Sequence, residues 1–480
     1  MNVKNELVKG VFWTTIETIV NRGFGFIIQL FLARLLFPED YGLVGMASVF
    51  IAFINIFNDL GMNAALVQIK KEKLRPVHFD TVFWTGVAWS VFLYLLMVFI
   101  GTPLIVKFYN ESKLVPIIPI ICLNVLISPI NMVHRAKLVK TLQFKKLALI
   151  SNISSITSGI MALLLAFLGY GVWALVFNSI AGTVVSVPMF LKASKWLPKF
   201  RWERQAFKDI FSFGAYTTGT SLSNYLMGNL DYLLIGKLLG SVVLGYYSFA
   251  FIITNTVRDQ IVTIINKVAY PIYASMQDNK KDMLDLFLKI VALNNLVVYP
   301  VILGIFLFFE FLIPIFFGHK WDNAIPLVKI LSVAVLIQML NNSHTMLFRA
   351  AGAVRVEFGL QLLKTICFYI PLISLGAYYH GAQGAAIGFT IAIFFGIVVS
   401  FYFMNKLFGL RIKQTIKALK ASLLMLLICW PSTELFKTIM DWKLCIVYYF
   451  FAVVSVYLLF GKPQILLIWG IIKQKKLINR

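Results

Sequence analysis

Apolar residues in this chain run in long uninterrupted blocks, without the two-residue alternation of a half-buried strand. Fourteen blocks approach or exceed the roughly 20 residues needed to cross about 30 Å of hydrocarbon. They span approximately 11–36, 42–67, 81–106, 114–135, 146–168, 172–192, 209–235, 243–269, 286–311, 324–350, 357–378, 384–406, 413–434 and 443–461. Inside lipid every backbone N–H and C=O must be satisfied within the segment, so each block is expected to be a helix. The fifth and sixth are hinged at Gly169-Tyr170-Gly171. Beyond 461, Pro463 to Ile472 is too short to cross and reads as an interfacial helix, with Trp469, Lys473, Lys475 and Lys476 at the headgroups. The pattern predicts an all-α polytopic membrane protein.

Positive charge falls in every second connection. With the N-terminal segment taken as inside, 34 of the 44 Lys and Arg residues lie in inside connections or the block ends beside them and eight in or beside outside ones; Arg22 and Arg258 alone fall deep within blocks. Cytoplasmic loops retain Lys and Arg, so both termini are expected in the cytoplasm. The formal net charge of +24 would otherwise suggest a nucleic-acid partner. The charges instead line the cytoplasmic leaflet, where anionic lipid attracts each by about 1 kcal/mol. Membrane lipid is the expected partner, and nucleic acid is not.

Composition excludes a soluble globular fold: 60% of residues are hydrophobic, 13% are charged and mean hydropathy is +0.83. No connection has room for a soluble domain. The cysteines (Cys122, Cys367, Cys429, Cys445) lie in or beside blocks without CxxC spacing, and the five histidines form no HxxxH or HExxH pair, so no metal site is expected. The first block is too long for a signal-peptide core and lacks a small-residue cleavage site, so the N-terminus is expected to stay attached.

An internal repeat organises the blocks. A shift of 203 superimposes Thr14-Thr15 on Thr217-Thr218, Asn21 on Asn224, Gly25 on Gly228, Leu30 on Leu233, Arg34 on Lys237, Gly42 on Gly245 and Ala47 on Ala250. A shift of 214 pairs Arg135-Ala136…Gln143-Phe144 with Arg349-Ala350…Glu357-Phe358. Six spans, an even number, separate the copies, so both halves enter the membrane from the same side, related by an axis along its normal. The expected domains are an N-lobe (1–200, spans 1–6), a C-lobe (201–410, spans 7–12), and residues 411–480, with spans 13–14 and the tail. The basic, aromatic stretch 193–208 is the expected inter-lobe linker, with Trp196 and Trp202 at the interface.

Charge inside hydrocarbon costs several kcal/mol, about 2.5–3.5 on conservative scales, and by default marks function. The clearest intramembrane cases cluster in spans 1, 2, 7 and 8: Glu17, Arg22, Asp59, Asp231, Arg258 and Asp259. Those spans are expected to face a polar cavity. Arg22 and Glu17, five residues apart, are poorly aligned as a helical pair. Arg258 and Asp259 are adjacent, and neighbouring helical side chains do not face each other, so the partner of Arg258 is expected in another span or in a substrate. Asp59 near the cytoplasmic end and Asp231 near the outer end have capping or snorkelling as alternatives, and His344 is open between packing and cavity roles. Asn21, Asn55, Asn224, Gln29 and Thr218 are candidates to line the cavity, inter-helical hydrogen bonding being their ordinary role.

The run Leu32-Ala33-Arg34-Leu35-Leu36-Phe37-Pro38-Glu39-Asp40-Tyr41-Gly42, continued by Phe57-Asn58-Asp59-Leu60-Gly61, resembles the start of bacterial polysaccharide exporters. So do the Arg135-Ala136…Gln143-Phe144 junction and the Gly169-Tyr170-Gly171-Val172-Trp173 turn. Together they resemble the Wzx-type lipid-linked oligosaccharide flippases of the multidrug/oligosaccharidyl-lipid/polysaccharide exporter superfamily, in the subgroup of colanic-acid and teichuronic-acid exporters. The likeness covers residues 8–410. It implies a V-shaped, two-lobed transporter of the bacterial cytoplasmic membrane, monomeric and without catalytic residues or cofactor. By alternating access it would flip undecaprenyl-diphosphate-linked repeat units for O-antigen, capsule or exopolysaccharide, with a polysaccharide polymerase or chain-length machinery as candidate partners. Family members hold the pyrophosphate with cavity arginines, and Arg22 and Arg258 are the matching positions; Asn21, Asn224, Glu17 and Asn55 join them as expected substrate contacts. An Arg fork suits a diphosphate through bidentate, charge-assisted bonds. Asp59, Asp231 and Asp259 are candidates for coupling to H⁺ or Na⁺.

Three other functions fit the sequence less well. A polymerase or ligase enzyme would carry a long outside loop with catalytic Arg and His, whereas the longest here, around 311–324, holds only His319, Lys320 and Asp322 as ionisable residues. A multidrug/cation antiporter would have an acid-bearing cavity without these arginines. A peptidoglycan-precursor flippase fits the 32–47 motif less well.

Overall fold

The computed structural model describes residues 3–69, 74–211, 225, 228–256, 258–263, 265, 273, 276 and 279–461. Helix is the only regular structure among them. Asn224, Thr218 and the tail beyond 461 lie outside the described residues.

The chain divides into two compact units, Met1–Gly245 and Tyr246–Arg480. The first contains α1 (Val3–Leu35), α2 (Pro38–Asp59), α3 (Met62–Gln68), α4 (Pro76–Leu96), α5 (Thr102–Tyr109), α6 (Leu114–Ile121), α7 (Leu123–Lys140), α8 (Phe144–Phe167), α9 (Val172–Ser194) and the start of α10 (Leu230–Phe251). The second holds the end of α10, then α11 (Lys280–Phe316), α12 (Ile325–Gln338), α13 (His344–Ala350), α14 (Val354–Lys364), α15 (Ile370–Phe408), α16 (Ile412–Ala418), α17 (Lys420–Lys437) and α18 (Trp442–Phe460).

Eleven stretches among the described residues are long and apolar enough to cross a membrane, and the bent pair α16–α17, at 64°, makes a twelfth. Two runs are each broken by a glycine: α10 at Gly240 (φ 84°, ψ −179°) and α15 at Gly381 (φ 55°). Only glycine adopts such backbone without strain. The count among the described residues is thus eleven or twelve against the fourteen blocks read from sequence; the stretches Leu230–Thr263 and Arg355–Phe408 each run across such a break, and most of block 209–235 lies outside the described residues. Pro38 and Pro76 open α2 and α4, where a missing N–H costs nothing. Bulky side chains stand fully out on many helices, Phe99 at 73% and Leu459 at 70% exposure, as lipid-facing surfaces require.

Within the first unit, Gly159 of α8 lets α1 approach so closely that a Cβ there would stand 2.8 Å from Ile28. The 193–208 connection is docked rather than free. Asp80 accepts the Lys199 N–H at 3.0 Å, the Trp84 indole donates to the Lys199 carbonyl at 2.9 Å, and Arg75 bridges Glu203 at 2.6 Å. Trp196 packs among Phe79, Phe83 and His134. In the second unit, α17 and α18 bury Met425, Cys429 and Tyr449 against Ile302, Leu303 and Leu307 of α11. The Tyr449 hydroxyl donates to the Pro300 carbonyl at 2.6 Å, so the last two spans are integral to this unit's core.

Candidate functional site

Polar chemistry inside the first unit gathers in a cavity of about 400 Å³. Its lining includes Glu17 of α1, Asp59 of α2, Asn131 and Arg135 of α7, and Ser151 and Ser154 of α8. Backbone left-handed at Leu60 and Gly61 stops α2 immediately after Asp59, whose carboxylate accepts the Asn63 N–H at 3.4 Å. Asn131 donates to the Thr183 carbonyl at 3.1 Å and the Ser186 hydroxyl at 2.7 Å. On α1, Asn21 donates to Ser151 at 2.7 Å. The amide oxygens of Asn21 and Asn131 and the Ser154 hydroxyl are buried without a hydrogen-bond partner. Buried polar groups are costly unless paired, so the Asn131 oxygen and the Ser154 hydroxyl, which line the cavity together with Glu17, Asp59 and Arg135, suit a proton or water.

Of the residues singled out in the sequence, Glu17 and Asp59 share this cavity. Arg22 and Asn55 are exposed and do not line it. Asp231 is buried, 5% exposed, in the first turn of α10. Arg135, read from sequence only as part of a cytoplasmic junction, is exposed and is among the residues that line the cavity. Nothing in the hydrophobic pattern separates it from its loop neighbours, because which residues of α7 border the cavity depends on how the helix is rotated.

In the second unit Arg258 follows a π-helical turn at Ile252–Thr256. Its Nε and Nη2 both donate to Asp259 Oδ1, at 2.9 and 2.6 Å, and its Nη1 donates to Gln338 Oε1. The expectation that adjacent Arg258 and Asp259 would not meet is therefore corrected. Neighbouring Cβ atoms diverge on a helix, but an arginine side chain is long enough to swing its guanidinium back. The expected partner from another span is present as well, in Gln338 at the end of α12. Arg258 is mostly covered, at 14% side-chain exposure, and Asp259 is half exposed at 51%. Such a guanidinium keeps its charge and can exchange a neutral partner for an anionic one. His344 is fixed by its ring: Nδ1 lies 2.8 Å from the Asn341 carbonyl, and Nε2 lies 3.4 Å from Lys364 Nζ. Lys364 is buried at the end of α14.

Comparisons with known proteins agree with this architecture. The chain is 26% identical over 412 residues to the lipopolysaccharide biosynthesis protein WzxC of Escherichia coli, covering 85% of this chain and 82% of the relative. It is 27% identical over 362 residues to the teichuronic acid biosynthesis protein TuaB of Bacillus subtilis, covering 74% of each. Its fold superimposes on the lipid II flippase MurJ in an inward closed conformation with TM-score 0.74 at 15% identity, covering 95% of this chain and 98% of that one. Residues 31–326 match the model of the family described as polysaccharide biosynthesis protein, and the chain belongs to that family.

Proposed function

We propose that this protein is a flippase that moves undecaprenyl-diphosphate-linked oligosaccharide repeat units across the bacterial cytoplasmic membrane for surface-polysaccharide synthesis. The observation that carries the reading is the match, over about three quarters or more of both chains, to proteins that serve two different surface polysaccharides, WzxC and TuaB. The charged groups held inside the membrane-spanning units are consistent with an anionic, hydrophilic cargo. Translocation makes and breaks no covalent bond, so the protein acts as a transporter rather than an enzyme. Both termini face the cytoplasm on this reading, as the alternation of basic connections requires. Arg22 and Arg258 engage the diphosphate, and the coupling ion, H⁺ or Na⁺, enters at Asp59 in the cavity it shares with Glu17. The test is surface-glycan export in cells lacking their own flippase, at matched protein level. Restored export supports the reading. Accumulation of the lipid-linked repeat unit on the cytoplasmic face, despite full membrane insertion, overturns it.

A further inference from the structure

The tenth span is interrupted between its helical ends. After α12 closes at Gln338, a 3-10 turn covers Met339–Asn341, Asn342 is extended (φ −64°, ψ 149°), and Ser343 takes φ +70° before α13 begins at His344. Serine in that region is strained by about 1–3 kcal/mol. Irregular backbone at membrane depth persists only where it is enclosed by protein or lines a cavity. Asn295 of α11 steadies the break from behind, donating to the Met339 carbonyl at 2.9 Å.

The break assembles donors. A carbonyl only accepts, so His344 Nδ1 carries the proton shared with Asn341, and the neutral ring offers Nε2 to the Lys364 ammonium. That lysine is 8% exposed, with its stem against Gly396 of α15. Among the described residues no carboxylate pairs with it, and His344 is its one hydrogen-bond partner. The nearest acid on its own helix, Glu357, is held at both oxygens by Arg349, at 2.9 and 2.9 Å. Asn341 is 1% exposed with both amide atoms unpartnered, and the Asn342 amide nitrogen is likewise buried and unpartnered. At the start of the same break, Gln338 receives Arg258. One short segment thus joins a guanidinium to an ammonium and adds two idle amide donors. Buried positive charge and unused N–H groups are stabilised together by an oxyanion, which accepts several charge-assisted bonds at once.

We propose that the broken segment 338–344, with Lys364, is a phosphoryl-anion site. It deepens the flippase reading and rests on it only for the source of the anion, the diphosphate of the lipid-linked cargo. Full-length protein in phosphatidylcholine nanodiscs is titrated with inorganic pyrophosphate and, separately, with undecaprenyl diphosphate. Wild-type protein is expected to bind, and Lys364→Met and Asn341→Leu each to weaken binding at least tenfold, while Lys406→Met at the far end of α15 leaves it unchanged. Binding of both ligands shows that the phosphoryl group alone is read; binding of the lipid alone shows that the site is reached with the tail attached. Failure of both ligands to bind, or wild-type binding by both variants, overturns the site. If Lys364→Met does not fold, Asn341→Leu decides alone. Lys364-dependent binding in a protein that exports no glycan would keep the site and remove the flippase reading.

Discussion

Gly42 stands against the carbonyl of Ser241 as Gly245 stands against the carbonyl of Pro38. Pro38 and Ser241 are separated by the same 203 residues as Gly42 and Gly245, so the contact is reciprocal, each repeat giving a glycine to the other's backbone. No side chain fits at either position without moving α2 from α10. Gly42→Val and Gly245→Val are each expected to destabilise by roughly 1–3 kcal/mol or more, the cost of overpacking. Thermal unfolding in detergent checks this, with Gly25→Ala as control because nothing lies within 4 Å of an added Cβ there. Unfolding of both valine variants at the wild-type temperature would show that the helices do not meet.

Arg258→Lys is expected to reduce glycan export about tenfold or more, since lysine keeps the charge but loses the planar fork that holds Asp259 and Gln338 together. Arg258→Ala and Arg22→Ala should abolish export at normal membrane levels, because removing a charge from a span eases insertion. Full export by both alanine variants, singly and together, would remove the diphosphate role. Rescue of Arg22→Ala by Glu17→Gln would reassign Arg22 to an ion pair.

Asp59→Asn should leave the protein folded and uncouple export from the ion gradient. The residue is part-exposed to the cavity, and its one backbone bond, from Asn63 at 3.4 Å, is kept by an amide oxygen. Export by the variant that still collapses with a protonophore or sodium ionophore, as wild type does, would place coupling elsewhere.

Asp80→Ala removes the acceptor that pins Lys199 and is expected to cost about 1 kcal/mol. Trypsin should then cut the 193–208 connection faster than in wild type, read by gel after limited digestion. Equal cutting rates would mean that the Trp84 and Trp202 contacts suffice to hold it.

A periplasm-active reporter fused after Gly240 should give signal, and one fused after Lys280 none. The reverse at both sites would invert the topology drawn from the basic connections.

The sequence by itself determined the helical class, the many-span membrane architecture and the repeat. Lipid offers the backbone no hydrogen bonds, so a long apolar block has one structural outcome, and the 203-residue offset survives as the paired contacts of Gly42 and Gly245. It also singled out Glu17, Asp59 and Arg258, since charge in hydrocarbon is rare enough to be seen without knowing its neighbours. What only the tertiary structure decided is company. Arg135 lines the cavity with Glu17 and Asp59, and Lys364 meets His344 across 20 residues of chain. Asp259 turned out to be a partner of Arg258 despite their spacing. Those outcomes depend on helix rotation, side-chain reach and a backbone break at Ser343, and hydropathy measures none of them: it records that a residue lies in a span, not which way it points.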